Sequence, residues 1–232
     1  MSYVLEPPAV PSVAVHGRAD ARFAVRRIYC VGRNYVQHAQ EMGFSGREPP
    51  FFFLKPADAL LPVGAGEVGV MHYPSLTHDL QHEVELVVAI GEGGRDIEAR
   101  DALSHIFGYG VGLDMTRRDL QGEAKKQGRP WCIGKGFEES APIGELRPAA
   151  DCRLDADTEI RLDVNGRTRQ RGTLGELIWS VPEVIEHLSR AWTLAPGDLI
   201  YTGTPAGVAA VVSGDLLTAS VAGVGRLELR LA

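Results

Sequence analysis

No apolar stretch in the sequence is long enough to cross a membrane as a helix. Apolar runs such as residues 51–54 and 86–90 fall far short of the roughly 18 residues that a spanning helix requires. A basic start followed by an apolar segment is also missing: Met1-Ser2-Tyr3-Val4-Leu5-Glu6-Pro7-Pro8 offers neither. No secretory signal is therefore expected, and the chain reads as cytoplasmic. Paired cysteines are absent too. Cys30, Cys132 and Cys152 are odd in number and far apart, which signals neither a disulfide framework nor a zinc site. Positive charge is in deficit, with 24 Lys and Arg against 30 Asp and Glu and a net charge of -6; this argues against nucleic acid as a partner. Finally, there is no GxSxG and no HExxH, and Gly91-Glu92-Gly93-Gly94 after the 82–90 strand lacks the GxGxxG and GxxxxGK[ST] spacings. That stretch thus makes no nucleotide cradle, and nucleophile-elbow and zincin chemistries drop out.

What remains is an ordinary globular composition over 232 residues, 44% hydrophobic and 23% charged, enough for one domain with a sizeable core. Glycine and proline together number 27 + 14 = 41, punctuation suited to many short strands joined by tight turns. Residues 1–22 carry Pro7, Pro8 and Pro11 and read as an arm with one edge strand, turning at Gly17. Strands are expected at 28–32, 51–54, 82–90 and 107–113, and again at 198–202, 216–221 and 226–231. Helical spacing is present at 35–42 and at 174–190, with Pro182 as a helix start or kink. A further helix should begin near Thr116, whose hydroxyl can cap it with Asp119 three residues on. Residues 44–50 read as a loop. The class is α+β and rich in strand.

Several residues can carry chemistry. Alternation along a strand puts Glu83 and Glu85 on one face, roughly 7 Å apart at their Cα atoms. Two carboxylates so placed repel each other and lose hydration unless a cation compensates; a solvated strand end is the alternative. Asp114 closes a Gly-rich apolar strand, where an acid serves as a turn residue or as a ligand held by a rigid scaffold. Three carboxylates without cysteine favour a hard ion, Mg²⁺ or Mn²⁺, over zinc. His38 and Glu41, three apart on a helix, share a face. Such a pair can act as a general base on water or lie at the surface as a plain ion pair. Lys135, between two glycines, can meet a substrate carboxylate or enolate, or snorkel to solvent. Tyr201-Thr202-Gly203-Thr204-Pro205 is a strand running into a turn that can bind an anion or simply turn.

As an ordered set, these motifs resemble the fumarylacetoacetate hydrolase superfamily. The resemblance runs through Val31-Gly32-Arg33-Asn34-Tyr35 with His38 and Glu41, Phe53-Leu54-Lys55-Pro56, and His82-Glu83-Val84-Glu85-Leu86. It continues through Leu113-Asp114-Met115-Thr116 with Arg118, Asp119 and Gln121, Pro130-Trp131 with Lys135, and Thr202-Gly203-Thr204-Pro205 with Gly207-Val208. It implies a mixed β-sandwich roll as a single catalytic domain over residues 26–232, preceded by an arm over residues 1–25. It also implies a homodimer, and one divalent metal held by Glu83, Glu85 and Asp114. His38 and Glu41 would be the water-activating pair, and Lys135 a catalytic contact to the keto acid. Arg33, Tyr35, Arg118, Gln121 and Thr204 would belong to the substrate pocket.

The compact chains of the superfamily resemble acylpyruvate hydrolases, and the stretch from Met71 into the Glu83–Glu85 strand points to fumarylpyruvate within gentisate breakdown. The activity implied is metal-dependent hydrolysis of a C–C bond in a 2,4-dioxo acid. Decarboxylation of an oxaloacetate-type 2-oxo acid is the runner-up, followed by isomerisation in aromatic-acid catabolism. The second carboxylate of fumarylpyruvate needs a cation, and Arg47, in the loop after the His38 helix, is the residue expected to supply it.

Overall fold

A computed structural model describes residues 3–36 and 47–232. In chain order its strands are β1 (Ser12–Val15), β2 (Arg18–Ala24), β3 (Arg27–Gly32), β4 (Phe51–Lys55), β5 (Leu60–Pro62), β6 (Val68–Met71), β7 (Leu80–Gln81), β8 (Val84–Ile90), β9 (Ile106–Leu113) and β10 (Thr116–Arg117). Helix α1 (Arg118–Lys126) and the single turn α2 (Cys132–Lys135) follow, then β11 (Ala141–Ile143), β12 (Arg147–Pro148), β13 (Glu159–Val164) and β14 (Arg167–Thr173). Helix α3 (Val181–Ala191) precedes β15 (Asp198–Tyr201), β16 (Leu216–Val221) and β17 (Gly225–Leu231).

The strands build two main sheets. The larger has eight, in the order β4-β3-β15-β8-β9-β11-β5 with β12 paired to β9; the smaller has five, β14-β13-β16-β17-β6. Strand β8 lies between β15 and β9 and all seven of its residues are buried, so its near-continuous apolar sequence is that of a strand covered on both faces. On one face Val84 and Leu86 pack with Ile160, Leu162, Leu217 and Leu229 of the smaller sheet. Farther along the same strand, Val88 and Ile90 pack under Val184, Ile185 and Leu188 of α3. On the other face Val87 and Ala89 lie inside the curl of the larger sheet with Cys30, Leu199 and Tyr201. The mixed, curled sheets bear out the β-rich sandwich-roll reading. Among the described residues, no helix is long and apolar enough to cross a membrane.

Three local expectations need correction. The arm holds two strands, since β1 and β2 form a hairpin across the Gly17 turn; β2 was missed because its polar sequence leaves most of its residues exposed. Through Val13 and Val15 the hairpin is fixed into the core, with His16 N donating to Leu146 O at 2.8 Å. Thr116 caps no helix. It pairs with Gln81 as part of β10, and α1 starts at Arg118 without a side-chain cap. Asp119 instead accepts from Thr77 Oγ1 at 2.6 Å and His78 N at 3.0 Å. The helical spacing at 174–190 is split: Leu174–Glu176 is a single 3₁₀ turn and α3 begins anew at Val181. There Ser180 and Glu183 form a capping box and Pro182 occupies the first turn, which resets the chain direction.

Candidate active site

Sheet register assembles the three acids. Val84 pairs with Leu113, and one step beyond, Asp114 N donates to Glu83 O at 2.8 Å, so the residue before β8 is bound to the residue after β9. Glu85, two positions on, faces Gly112 across the ladder. A Cβ at Gly112 would stand 2.6 Å from both Tyr201 and Val87, so the packing around Glu85 admits only glycine there. The result is a group in which one oxygen from each of Glu83, Glu85 and Asp114 lies within 4.8 Å of the others. Their exposures are 5%, 2% and 1%, which rules out the solvated strand end.

Two lysines and an arginine enter the same space. Lys135, at the end of α2, donates to Glu83 Oε2 at 2.7 Å, Asp114 Oδ2 at 2.6 Å and Thr116 Oγ1 at 2.7 Å. All three of its N–H groups are committed. Burial pulls its pKa down, but Asp114 and Glu83 more than offset this and hold it above the ordinary lysine value. Lys55, at the end of β4, stands 2.9 Å from Asp114 Oδ1 as an ion pair without hydrogen-bond geometry. It donates to Met115 O at 3.0 Å and to Lys135 O. Arg118 donates to Glu83, to Gln81 Oε1 at 2.7 Å and to Gln121 Oε1 at 2.6 Å.

Glu85 is the acid left least compensated. Among the described residues its one hydrogen bond comes from Gly203 N at 2.7 Å, where Gly203 adopts φ 106 and a Cβ would meet Asn34 at 2.7 Å. Burial first, then repulsion from Asp114 and Glu83, raises its pKa well above the usual carboxylate range. An all-oxygen donor set, buried, crowded with negative charge and served at Glu85 by one amide, is the chemistry of a hard divalent cation site. The residues fit the metal.

The cleft around this group is lined by Arg33, Glu83, Glu85, Arg118, Gln121, Lys135 and Thr204, with Phe53 and Trp131 as an aromatic wall. Trp131 packs on Phe51 and Phe53 with ring centroids 5.2 and 5.9 Å apart. Arg33, at φ 58, lies 5.1 Å from the centroid of Phe51. Seven residues expected in metal or substrate roles thus converge on one cleft, and Asp114 joins them through the carboxylate group. Tyr35 is buried behind the cleft in the apolar core. Arg47 is bound to Glu183 and sits 4.0 Å over the Trp179 ring, outside the lining. His38 and Glu41 lie outside the described residues. Lys55 and Gln170 went unassigned in the sequence. A lysine in an apolar strand end and a glutamine between arginines carry no local signal, because their partners are distant in the chain.

Comparison with known proteins gives the site its relatives. Residues 27–232 match the family described as fumarylacetoacetate (FAA) hydrolase C-terminal. The fold superposes on a crystal structure of fumarylpyruvate hydrolase from Pseudomonas aeruginosa in complex with Mn²⁺ and pyruvate, with a TM-score of 0.97 and 51% identity over 100% of this chain and 99% of that one. Among curated proteins, an oxaloacetate decarboxylase of Dictyostelium discoideum is 40% identical over 86% of this chain and 90% of its own. An oxaloacetate tautomerase of Arabidopsis thaliana is 41% identical over 87% and 89%.

Proposed function

The chain belongs to the fumarylacetoacetate hydrolase family, and from that premise we propose that it is a metal-dependent hydrolase of the C–C bond in a 2,4-dioxo acid, with fumarylpyruvate as the substrate. The observation that carries the reading is the buried group of Glu83, Glu85 and Asp114 beside the ammonium of Lys135. Its charges select the ligand. Glu83, Glu85 and Asp114 bring -3, and Lys55, Lys135 and Arg118 bring +3, so the protein groups sum to zero. A divalent ion adds +2 and Arg33 in the lining adds +1, so the loaded cleft is positive and suits an acid that carries two carboxylates. The full-length likeness to a fumarylpyruvate hydrolase supports the particular substrate.

When bound, Mg²⁺ or Mn²⁺ supplies Lewis-acid polarisation of the 2-oxo group. His38, oriented by Glu41, takes a proton from water, whose oxygen adds to the 4-oxo carbon. The bond from that carbon to C3 then breaks. The electron pair stays on the pyruvate fragment and takes up a proton at C3, and the water oxygen ends in the new carboxylate of fumarate. Lys135 stabilises the developing enolate through its charge, since its hydrogens are engaged by Glu83, Asp114 and Thr116. Arg118 and Gln121, linked to each other, and Arg33 in the same lining hold the acid groups of the substrate. Trp131, Phe51 and Phe53 keep water from the reacting end.

The test is metal-stripped protein mixed with fumarylpyruvate, with and without added Mn²⁺ or Mg²⁺. Equimolar fumarate and pyruvate, formed only with metal, is the expected result; no turnover sinks the hydrolase reading. The likeness to an oxaloacetate decarboxylase favours a second reading, loss of CO₂ from oxaloacetate on the same enolate-stabilising groups. His38→Ala separates the two, because it abolishes hydrolysis and spares a decarboxylation that needs no attacking water. Arg47→Ala tests the remote carboxylate: a KM for fumarylpyruvate raised about tenfold assigns that contact to Arg47, and an unchanged KM leaves it to Arg33. A homodimer belongs to the same reading, and sedimentation of the metal-loaded protein tests it.

A further inference from the structure

Gln170, fully buried in β14, has no part in the chemistry above, yet its amide reaches from the smaller sheet to two segments of the site. Its Oε1 accepts from His82 Nδ1 at 2.8 Å and from Val84 N at 3.1 Å. Its Nε2 donates to Thr204 Oγ1 and to Pro205 O, both at 2.8 Å. All four hydrogen-bonding positions of the amide are used. Two of the partners also fix which end is which: a backbone N–H only donates and a backbone carbonyl only accepts, so oxygen and nitrogen cannot be exchanged. Because Oε1 only accepts, His82 Nδ1 carries its ring hydrogen.

The same reasoning reaches the Thr204 hydroxyl. Its oxygen takes a hydrogen from Gln170, and among the described residues its own hydrogen meets no acceptor in the protein. Thr204 is 3% exposed, and it lines the cleft with Glu83, Glu85 and Lys135. A buried hydroxyl with its hydrogen unspent is costly unless a ligand oxygen receives it. Without Gln170 the hydroxyl could turn its hydrogen to Pro205 O or another neighbour and present lone pairs to the cleft, which would repel an anion.

We propose that Gln170 is a positioning residue that makes Thr204 a hydrogen-bond donor to the carboxylate or enolate oxygen of the bound 2-oxo acid. It does so by filling the acceptor side of the hydroxyl, while the other end of the same amide holds the approach to β8, where Glu83 and Glu85 sit. This rests on the reading that the cleft takes a 2-oxo acid together with a divalent ion.

The experiment uses oxalate, a planar dianion resembling a pyruvate enolate, titrated calorimetrically into protein saturated with Mn²⁺. The variants are Thr204→Val, Gln170→Glu and their combination, with Thr204→Ser as the conservative control. Gln170→Glu keeps the acceptors for His82 and Val84 but replaces the donor by an oxygen that draws the Thr204 hydrogen out of the cleft. Each single variant should weaken oxalate about tenfold, as for one lost hydrogen bond to an anion. The double variant should be no weaker than Thr204→Val alone, because both act through one hydrogen, and Thr204→Ser should bind as the unaltered protein does. Oxalate affinity unchanged in Thr204→Val, or losses that multiply in the double variant, would overturn the proposal. Should Gln170→Glu fail to fold, Thr204→Val against Thr204→Ser still decides it. Unaltered protein that binds no oxalate with Mn²⁺ present overturns the metal and oxo-acid reading, and this proposal with it. Unaltered protein that binds while Thr204→Val makes no difference overturns this proposal alone.

Discussion

Among the described residues, carboxylates are buried in two places, and these are built on opposite terms. Asp198, at the start of β15, is buried alone. It accepts from Ala195 N at 2.9 Å and from Arg26 at 3.2 Å, and the arginine keeps 43% of its side chain in solvent. Burial lifts its pKa above the ordinary value, and Ala195 and Arg26 pull against that without cancelling it. Arg27 adds a further positive charge nearby, so Asp198 is a turn residue with local helpers. Glu83, Glu85 and Asp114 are buried together, with Lys55 and Lys135 fully enclosed among them. A single buried acid is satisfied by one backbone amide and a surface cation. Three acids converging on one small space draw Lys55, Lys135 and Arg118 to Glu83 and Asp114 and still leave Glu85 with a single amide among the described residues, which is where a divalent cation would be held.

Four substitutions sharpen this contrast, beginning with the largest effect. Glu85→Gln removes the least compensated ligand: kcat/KM should fall on the order of 10³-fold and Mn²⁺ titration should lose its binding isotherm. The urea midpoint of the metal-free protein should not fall, because an unpaired buried charge is gone. A metal-loaded activity close to normal would break the assignment. Lys55→Met leaves Asp114 Oδ1 buried without its cation, and it should cost about 3–5 kcal/mol in metal-free unfolding experiments.

Arg26→Ala is the matching deletion at the other site. With a solvent-screened partner removed and the Ala195 amide still in place, it should cost no more than about 1 kcal/mol. Equal losses for Lys55→Met and Arg26→Ala would erase the distinction drawn here. Asp198→Asn gives the smallest effect, visible as a slope. Because the folded protein holds the Asp198 proton more tightly than the unfolded chain, stability contributed there declines as pH rises through the interval just above the ordinary carboxylate pKa. The asparagine variant should show a shallower decline over that interval, and an unaltered slope would show that Asp198 is not the group responsible.

The same contrast explains what could be read early. The Glu83–Glu85 spacing was visible because strand alternation is local, and Pro182 marked the start of α3 because its ring is tolerated in a first helical turn. The hairpin strand β2 was not visible, because a polar edge strand has no periodic signature. Thr116 looked like a cap, yet its hydroxyl serves Lys135 from 19 positions away in the chain. Gln170 gave no signal at all, and Lys55 stood out only as a member of the Phe53–Pro56 motif, with no role: what makes each matter is a partner 34 or 60 residues distant, Thr204 in one case and Met115 in the other.

By itself, the sequence determined where most strands of the two main sheets would lie and that Glu83 and Glu85 would share one strand face, since a two-residue period is local. The ordered motifs further determined the family. Tertiary structure alone decided that Asp114 would meet Glu83, through the β8–β9 register, and that Glu85 would be left with one amide. It also decided that Arg118, Gln121, Lys135 and Thr204 would enclose them. Those facts depend on pairings between segments far apart in the chain, and the burial they impose turns three ordinary acids into a site that calls for a divalent cation.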